Sequence, residues 1–321
     1  MKSENLRKKI LWLFIISVLA ILLGISKGSV NISFSELLHI QNRPILYLRL
    51  SRIILAIVAG SGLAVAGTVL QAVLRNSLAE PYLLGTSSGA GLAAVLAIII
   101  GLDKLYLPLA AFLGAILTVI LVYNLARHGN KVSVQSLILA GVIVSIAFGA
   151  IMVFLISTSG NEALHGIMWW LWGSLQVYDL KLLLMVSITV IAGIMAIFTF
   201  SQDLNAISIG EEEAIHLGIK TETVKKILFF ITSLITASLV CICGIIGFVG
   251  LIIPHIMRSV VGPNHKVLIP STCLAAATFM VICDLLSRTL FSPLEIPIGV
   301  ITAVIGTPIF IILLKSKQKV R

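Results

Sequence analysis

The chain has 321 residues, 59% hydrophobic and only 11% charged, with a mean hydropathy of +1.12, which excludes a soluble globular domain. Its net charge of +10 does not call for nucleic acid, because lysines and arginines gathered on one side of a membrane against anionic headgroups account for most of it. The class this leaves is an all-α polytopic membrane protein, a single transmembrane domain over 1–321, since a bilayer core about 30 Å thick takes about 20 apolar residues per helix. In chain order, ten spans are expected near 10–26, 50–70, 82–101, 106–126, 134–157, 180–200, 227–243, 245–262, 268–290 and 295–314. Lys2, Arg7, Lys8 and Lys9 precede the first, but no A-x-A site follows it, so it reads as a retained helix and not a signal peptide.

Ten spans place both termini on one side. Arg75, Arg127, Lys131, Lys220, Lys225, Lys226, Arg258, Lys266, Lys315, Lys317, Lys319 and Arg321 share that side with the N-terminal cluster. The minority, Lys27, Arg43, Arg49, Arg52, Lys104, Lys181 and Arg288, lies opposite, so both termini are expected in the cytoplasm. Between spans six and seven runs a polar island from Ser201 to Lys226, and within it Gly210 to Gly218 forms a short helix that lipid does not accept. Ala214, Leu217 and Gly218 stand at i, i+3 and i+4, a small smooth stripe suited to a groove on a soluble partner. An amphipathic connector resting on the membrane surface fits the same spacing. Cys241, Cys243, Cys273 and Cys283 all sit in apolar segments as small hydrophobes; Cys241-x-Cys243 lacks further ligands at metal spacing, and neither a metal site nor a disulfide is expected.

Two blocks then carry a resemblance. Arg49-Leu50-Ser51-Arg52, Gly67-Thr68-Val69-Leu70-Gln71, Arg75-Asn76-Ser77-Leu78-Ala79-Glu80-Pro81, Leu84-Gly85 and Ser88-Gly89-Ala90 form the first. Gly247-Phe248-Val249-Gly250-Leu251-Ile252-Ile253-Pro254-His255-Ile256-Met257-Arg258 forms the core of the second, followed by Asn264-His265-Lys266, Leu268-Ile269-Pro270, Asp284, Arg288, Glu295-Ile296-Pro297-Ile298-Gly299 and Gly306-Thr307-Pro308-Ile309-Phe310. In order and spacing the chain resembles the FecCD family of ABC-importer permeases over nearly its whole length. Ser51 and Ser77 stand where that family usually has proline.

The resemblance implies a type II ABC importer permease fold of ten transmembrane helices in a bacterial or archaeal cell membrane. It further implies a homodimer that passes metal chelates inward: ferric siderophore first, haem and cobalamin next. Two cytoplasmic ATPase subunits would drive it, and an extracytoplasmic substrate-binding protein would deliver the cargo. The residues add that no G-x-x-x-x-G-K-[ST] loop is present, so the chain is not itself an enzyme and holds no cofactor; ATP and Mg would be bound by the ATPase. By the same resemblance Gly210, Glu213, Ala214, Leu217 and Gly218 form a coupling helix at about 208–219 that seats in the ATPase. Arg49, Arg52 and Arg288 ring the outer mouth and meet carboxylates of the binding protein, a role the planar guanidinium fork suits, although snorkelling at the headgroups also accounts for each. Asn76 and Leu78 narrow the cytoplasmic end, in a loop that a plain turn explains as well. Spans five and ten line the pathway, with Ser136, Gly141, Ser145 and Gly149 on one and Gly299 and Gly306 on the other, positions that simple packing accounts for too.

Asp284 at membrane depth would cost about 2.5–3.5 kcal/mol unpaired, and Arg288 lies one turn away to pair with it. Glu295 is expected to cap the tenth span near its N-terminus. Trp169, Trp170, Trp172 and Tyr178 read as the aromatic belt of an outer interfacial helix within Gly160–Asp179. An ion-coupled secondary transporter is the rival class; it would want several ionisable groups at the midplane. An intramembrane enzyme lacks a His pair, a Ser–base pair or an acidic dyad at working spacing.

Overall fold

The computed structural model describes residues 2–28, 43–102, 105–128, 131–177 and 179–318; Lys104, Tyr178, Lys319 and Arg321 lie outside the described residues. Helices α1 (Lys2–Ser26), α2 (Arg43–Val73), α3 (Thr86–Ile99), α4 (Leu107–Ala126), α5 (Val134–Ser157), α6 (Asn161–Leu171) and α7 (Leu180–Thr199) make the first part. After α8 (Ser201–Ile209) and α9 (Glu211–His216) follow α10 (Thr221–Cys243), α11 (Val249–Val261), α12 (His265–Thr289) and α13 (Ile298–Gln318). A two-rung antiparallel ladder, Arg127 with Val132 and His128 with Lys131, closes the turn between α4 and α5.

Among the described residues seven helices are long and apolar enough to cross a bilayer, and three shorter apolar ones, Thr86–Ile99, Val249–Val261 and Ile298–Leu313, fall where the third, eighth and tenth expected spans lie. Each short helix is shorter because its expected start is irregular chain. Before α3 the chain makes a 3-10 turn, Pro81–Leu84, and passes Gly85 at φ +77. Before α11 it turns at Gly244 (φ +68) and Phe248 (φ +71). Backbone that leaves the helical pattern at membrane depth must find partners inside the protein. Here Tyr82 Oη accepts from Ile246 N and donates to Ile246 O, both at 3.1 Å, so one irregular stretch satisfies the other. Ser174 N donates to Cys243 O at 2.8 Å and Gly299 N to Trp172 O at 3.0 Å, stitching the start of α13 to the same place.

Helix α2 is the central post, packed on α10, α11 and α12; between Leu55 and Val73 only Ile57 and Ser61 are partly exposed. Lipid tails are as apolar as leucine, so close van der Waals approach holds such helices together, and small residues permit it. A Cβ on Gly67 would run into Gly250 O, and one on Gly250 into Pro81 and Leu63 O, so α2, α11 and the 3-10 turn meet at a crossing that only glycine permits. Gly89 and Gly114 do the same for α3 and α4.

Candidate functional site

The end expected to face the cytoplasm is built on the loop after α2. Arg75 sits at φ +49, and beyond it Asn76 Oδ1 accepts from Leu78 N at 2.9 Å while Asn76 O accepts from Ala79 N at 3.1 Å. This Asx turn bends the chain without the proline that the family usually has at Ser77, and it leaves Leu78 51% exposed at the tip. Buried Gln71 holds the rear of the loop: its Nε2 donates to Ala79 O (3.3 Å) and Leu251 O (3.1 Å), and its Oε1 accepts from Arg258 Nη1 (3.1 Å). Pro81 ends the loop by opening the 3-10 turn rather than α3 itself. The carboxyl of Glu80 beside it has neither a hydrogen bond nor an ion pair among the described residues, and burial pushes it above the usual range.

Next to this loop lies the 201–218 elbow. Gly210 is extended between α8 and α9, and the Glu213 carboxylate folds over it, so a Cβ on Gly210 would collide with Glu213 Oε2. The expected stripe of Ala214, Leu217 and Gly218 does not form one docking face. Ala214 is 0% exposed in the core, whereas Leu217 is 70% exposed and Gly218, at φ +83, stands in open space. The reason is that α9 has only six residues and turns its one inward position onto the bundle, while Lys225 Nζ of α10 clamps it through Glu211 (2.6 Å) and is itself held by Glu222 (2.7 Å) on its own helix. The exposed apolar face is instead Ile209 (69%), Ile215 (55%) and Leu217. The first two carried a signal that the helical stripe hid: bare isoleucines within a polar island.

At the opposite end the arginines are turned into the bundle and do not ring an open mouth. Arg52 Nε donates to Asp284 Oδ1 at 2.6 Å, and its Nη1 donates to both oxygens of Glu295, at 3.1 and 2.9 Å. Arg288 lies 2.9 Å from Asp284 Oδ2, in contact as an ion pair but without the alignment of a hydrogen bond. The local Asp284–Arg288 pair is therefore present, with Arg52 as a third member that the i, i+4 spacing cannot reveal. Arg49 Nη1 donates to Ile25 O (2.8 Å) and Ser26 O (3.0 Å), and Arg288 to Gly24 O (3.2 Å) and Lys27 O (3.4 Å). Two guanidiniums thus cap the carbonyl end of α1, where a helix terminus favours positive charge. Glu295 does not cap α13; it accepts from Arg52 and from Gln176 Nε2 at 3.0 Å. Burial opposes its charge, but Arg52, with help from Gln176 and Arg288, prevails and holds its carboxyl below the usual range.

The expected wall residues divide. Gly141 is buried against Leu83 O, Ser145 Oγ accepts from Ser88 Oγ at 3.2 Å, Gly299 abuts Trp172 O, and Gly306 abuts Phe248. These four pack helices together within the chain. Ser136 pairs with Ser133 (Oγ–Oγ 2.7 Å), whose hydroxyl also accepts from Ser136 N to cap α5; a Cβ on Gly149 would touch nothing. What α5 turns outward is large and apolar: Leu139, Ile143, Ile146, Val153 and Phe154 are all at least 56% exposed. Helix α6 presents His165 stacked on Trp169 (6.4 Å between rings) and, with Trp170, lines a cavity of about 530 Å³ against α3, α4 and α10. The fourth aromatic expected there, Tyr178, is outside the described residues, while Trp172 is 47% exposed.

Comparison with known proteins fits this geometry. The model of the FecCD transport family matches residues 14–316. The cobalamin import system permease protein of Halobacterium salinarum is 38% identical over 84% of this chain and 73% of its own. The hemin transport system permease protein of Yersinia pestis is 32% identical over 97% of this chain and 96% of its own. A solved chain in an inward-facing conformation, assigned to the metal-chelate type of ABC transporter, superposes with a TM-score of 0.89 at 33% identity, covering 97% of this chain and 99% of that one. The chain belongs to the FecCD transport family, the membrane-embedded permease subunits of ABC importers.

Proposed function

We propose that the chain forms the transmembrane conduit of an importer that brings a metal chelate into a bacterial or archaeal cell, ferric siderophore foremost, with haem and cobalamin as the alternatives. All ten apolar helices cross the bilayer, both termini are cytoplasmic, and two copies pair through their outward apolar faces on α5 and α13. Two ABC ATPase subunits dock on the elbow at Ile209, Ile215 and Leu217. A binding protein approaches the opposite end, where Arg52 and Glu295 are the members of the ionic cluster that retain some exposure, 11% and 23% of their side chains. The observation that carries this reading is the likeness, over nearly the full length, to a chain assigned to the metal-chelate type of ABC transporter. The exposed apolar elbow supports it, since Ile209, Ile215 and Leu217 offer a soluble partner a bare apolar face.

An ion-coupled transporter draws little from this geometry. Asp284, the acid at membrane depth, is fully buried between two guanidiniums and does not face an open path. The test is uptake of haem, cobalamin or a ferric siderophore into proteoliposomes holding the complex. Uptake is expected to stop with a hydrolysis-deficient ATPase and to ignore ionophores. Ionophore-sensitive uptake by the permease alone would overturn the reading.

A further inference from the structure

The loop 74–80 and the elbow 201–218 are far apart along the chain but neighbours in space, since α8 of the elbow packs on α2, which leads into the loop. The elbow is fixed to α10 through Ala214 in the core and the Lys225–Glu211–Glu222 clamp. The loop is fixed to α11 through Gln71, which reaches Ala79, Leu251 and Arg258 at once. Among the described residues one hydrogen bond joins the two: Arg75 Nη2 donates to Ile209 O at 3.3 Å. Ile209 is the last residue of α8, immediately before the extended Gly210, and Arg75 immediately precedes the Asx turn of Asn76 and Leu78. Arg75 also sits at φ +49, a conformation unusual for a residue with a side chain, held by Arg75 N donating to Ala72 O and Asn76 N to Gln71 O. An exposed guanidinium that reaches a single carbonyl contributes little stability, but it ties the end of α8 directly to the start of the loop, whereas Asn205 ties the same helix to α12 by accepting from His265 N at 2.8 Å.

We propose that Arg75 is a positioning residue that transmits movement of the elbow to the 74–80 loop, while Gln71 and Arg258 hold the far side of that loop still. This rests on the importer reading above. With the elbow tethered to the front of the loop and α11 to its rear, displacing the elbow swings Asn76 and Leu78 about the Gln71 anchor instead of carrying the whole loop along.

The experiment uses the permease–ATPase complex in nanodiscs, with Ser77→Cys as a nearly isosteric reporter and the half-buried native thiol removed by Cys273→Ala. A membrane-impermeant maleimide reads reporter accessibility without nucleotide and with ATP plus vanadate. Wild-type Arg75 is expected to give a nucleotide-dependent change in labelling rate of at least fivefold. Arg75→Ala should reduce that change to less than twofold while ATP hydrolysis and thermal midpoint stay close to the parent, and Arg75→Lys, which keeps a donor, should restore at least half of it. Gln71→Leu provides the second variant: with the anchor lost, labelling becomes high in both states. A full nucleotide-dependent change in Arg75→Ala would overturn the proposal and leave the importer reading intact. No nucleotide dependence in the parent, or no ATPase bound, would overturn both.

Discussion

The two ends of this bundle treat charge in opposite ways. At the end expected to face outward, buried Asp284 and Arg288 and half-buried Arg52 and Glu295 form one cluster, and each has an opposite partner within 2.9 Å. At the inner end, Arg75 holds one carbonyl at 3.3 Å, Leu78 and Leu217 stand in the open, and Glu80 carries a partly buried carboxyl with no partner among the described residues. A closed ionic cluster fixes the geometry of the helices that supply it, because moving any member strands a charge in a medium that solvates it poorly. A loop held by single hydrogen bonds moves cheaply. The contrast marks the outer end as the frame and the inner end as the part that can be driven.

Breaking the frame should give the largest effect. Asp284→Ala leaves Arg52 and Arg288 buried without their shared acid and is expected to destabilise the fold by about 3–5 kcal/mol, read as loss of the folded peak in size-exclusion chromatography. At the elbow the outcomes should separate. Ala214→Leu overpacks a fully buried position and is expected to cost about 1–3 kcal/mol in thermal unfolding. Leu217→Glu, at an exposed position, should leave Tm within about 1 °C yet weaken ATPase capture at least tenfold. If Leu217→Glu keeps full capture, the elbow is not the docking face.

Acid sharpens the comparison further. Glu295 has a folded pKa below its unfolded one, so its contribution is complete above the ordinary carboxylate range and lost as pH falls through the folded value. Glu80 is opposite in sign: burial raises its pKa, so its charge opposes folding above the ordinary range and that penalty lifts as pH falls. As pH falls below the ordinary carboxylate range the ionic cluster should therefore begin to fail, seen as a falling Tm that Glu295→Gln removes. The smallest expected effect is Glu80→Gln, a modest gain in Tm at pH 8 that disappears in acid.

Much of this molecule was legible without coordinates. The apolar runs gave ten segments because lipid thickness sets a length that composition must meet, and among the described residues seven helices of spanning length and three shorter apolar ones fall in those places. The polar island was legible because its charges, Asp203, Glu211 to Glu213, Lys220, Glu222, Lys225 and Lys226, do not suit the lipid core. The family followed from motifs whose spacing is specific, such as Gly67 to Gln71 and Gly247 to Arg258, and the close contact of Gly67 with Gly250 shows part of the reason for those residues. Individual site residues were less legible. Helical spacing put Ala214 and Leu217 on one stripe, but a six-residue helix docked at one position buries the first and exposes the second.

Sequence alone determined what kind of solvent each segment tolerates, since hydropathy, basic-residue bias and turn chemistry are properties of neighbours along the chain. Tertiary structure decided who satisfies whom. Arg52 meets an aspartate 232 positions away and a glutamate 243 positions away, and Tyr82 closes a backbone gap 164 positions on. Where water is absent a polar group must find its partner inside the protein, and which partner lies within reach is fixed only when the helices have packed.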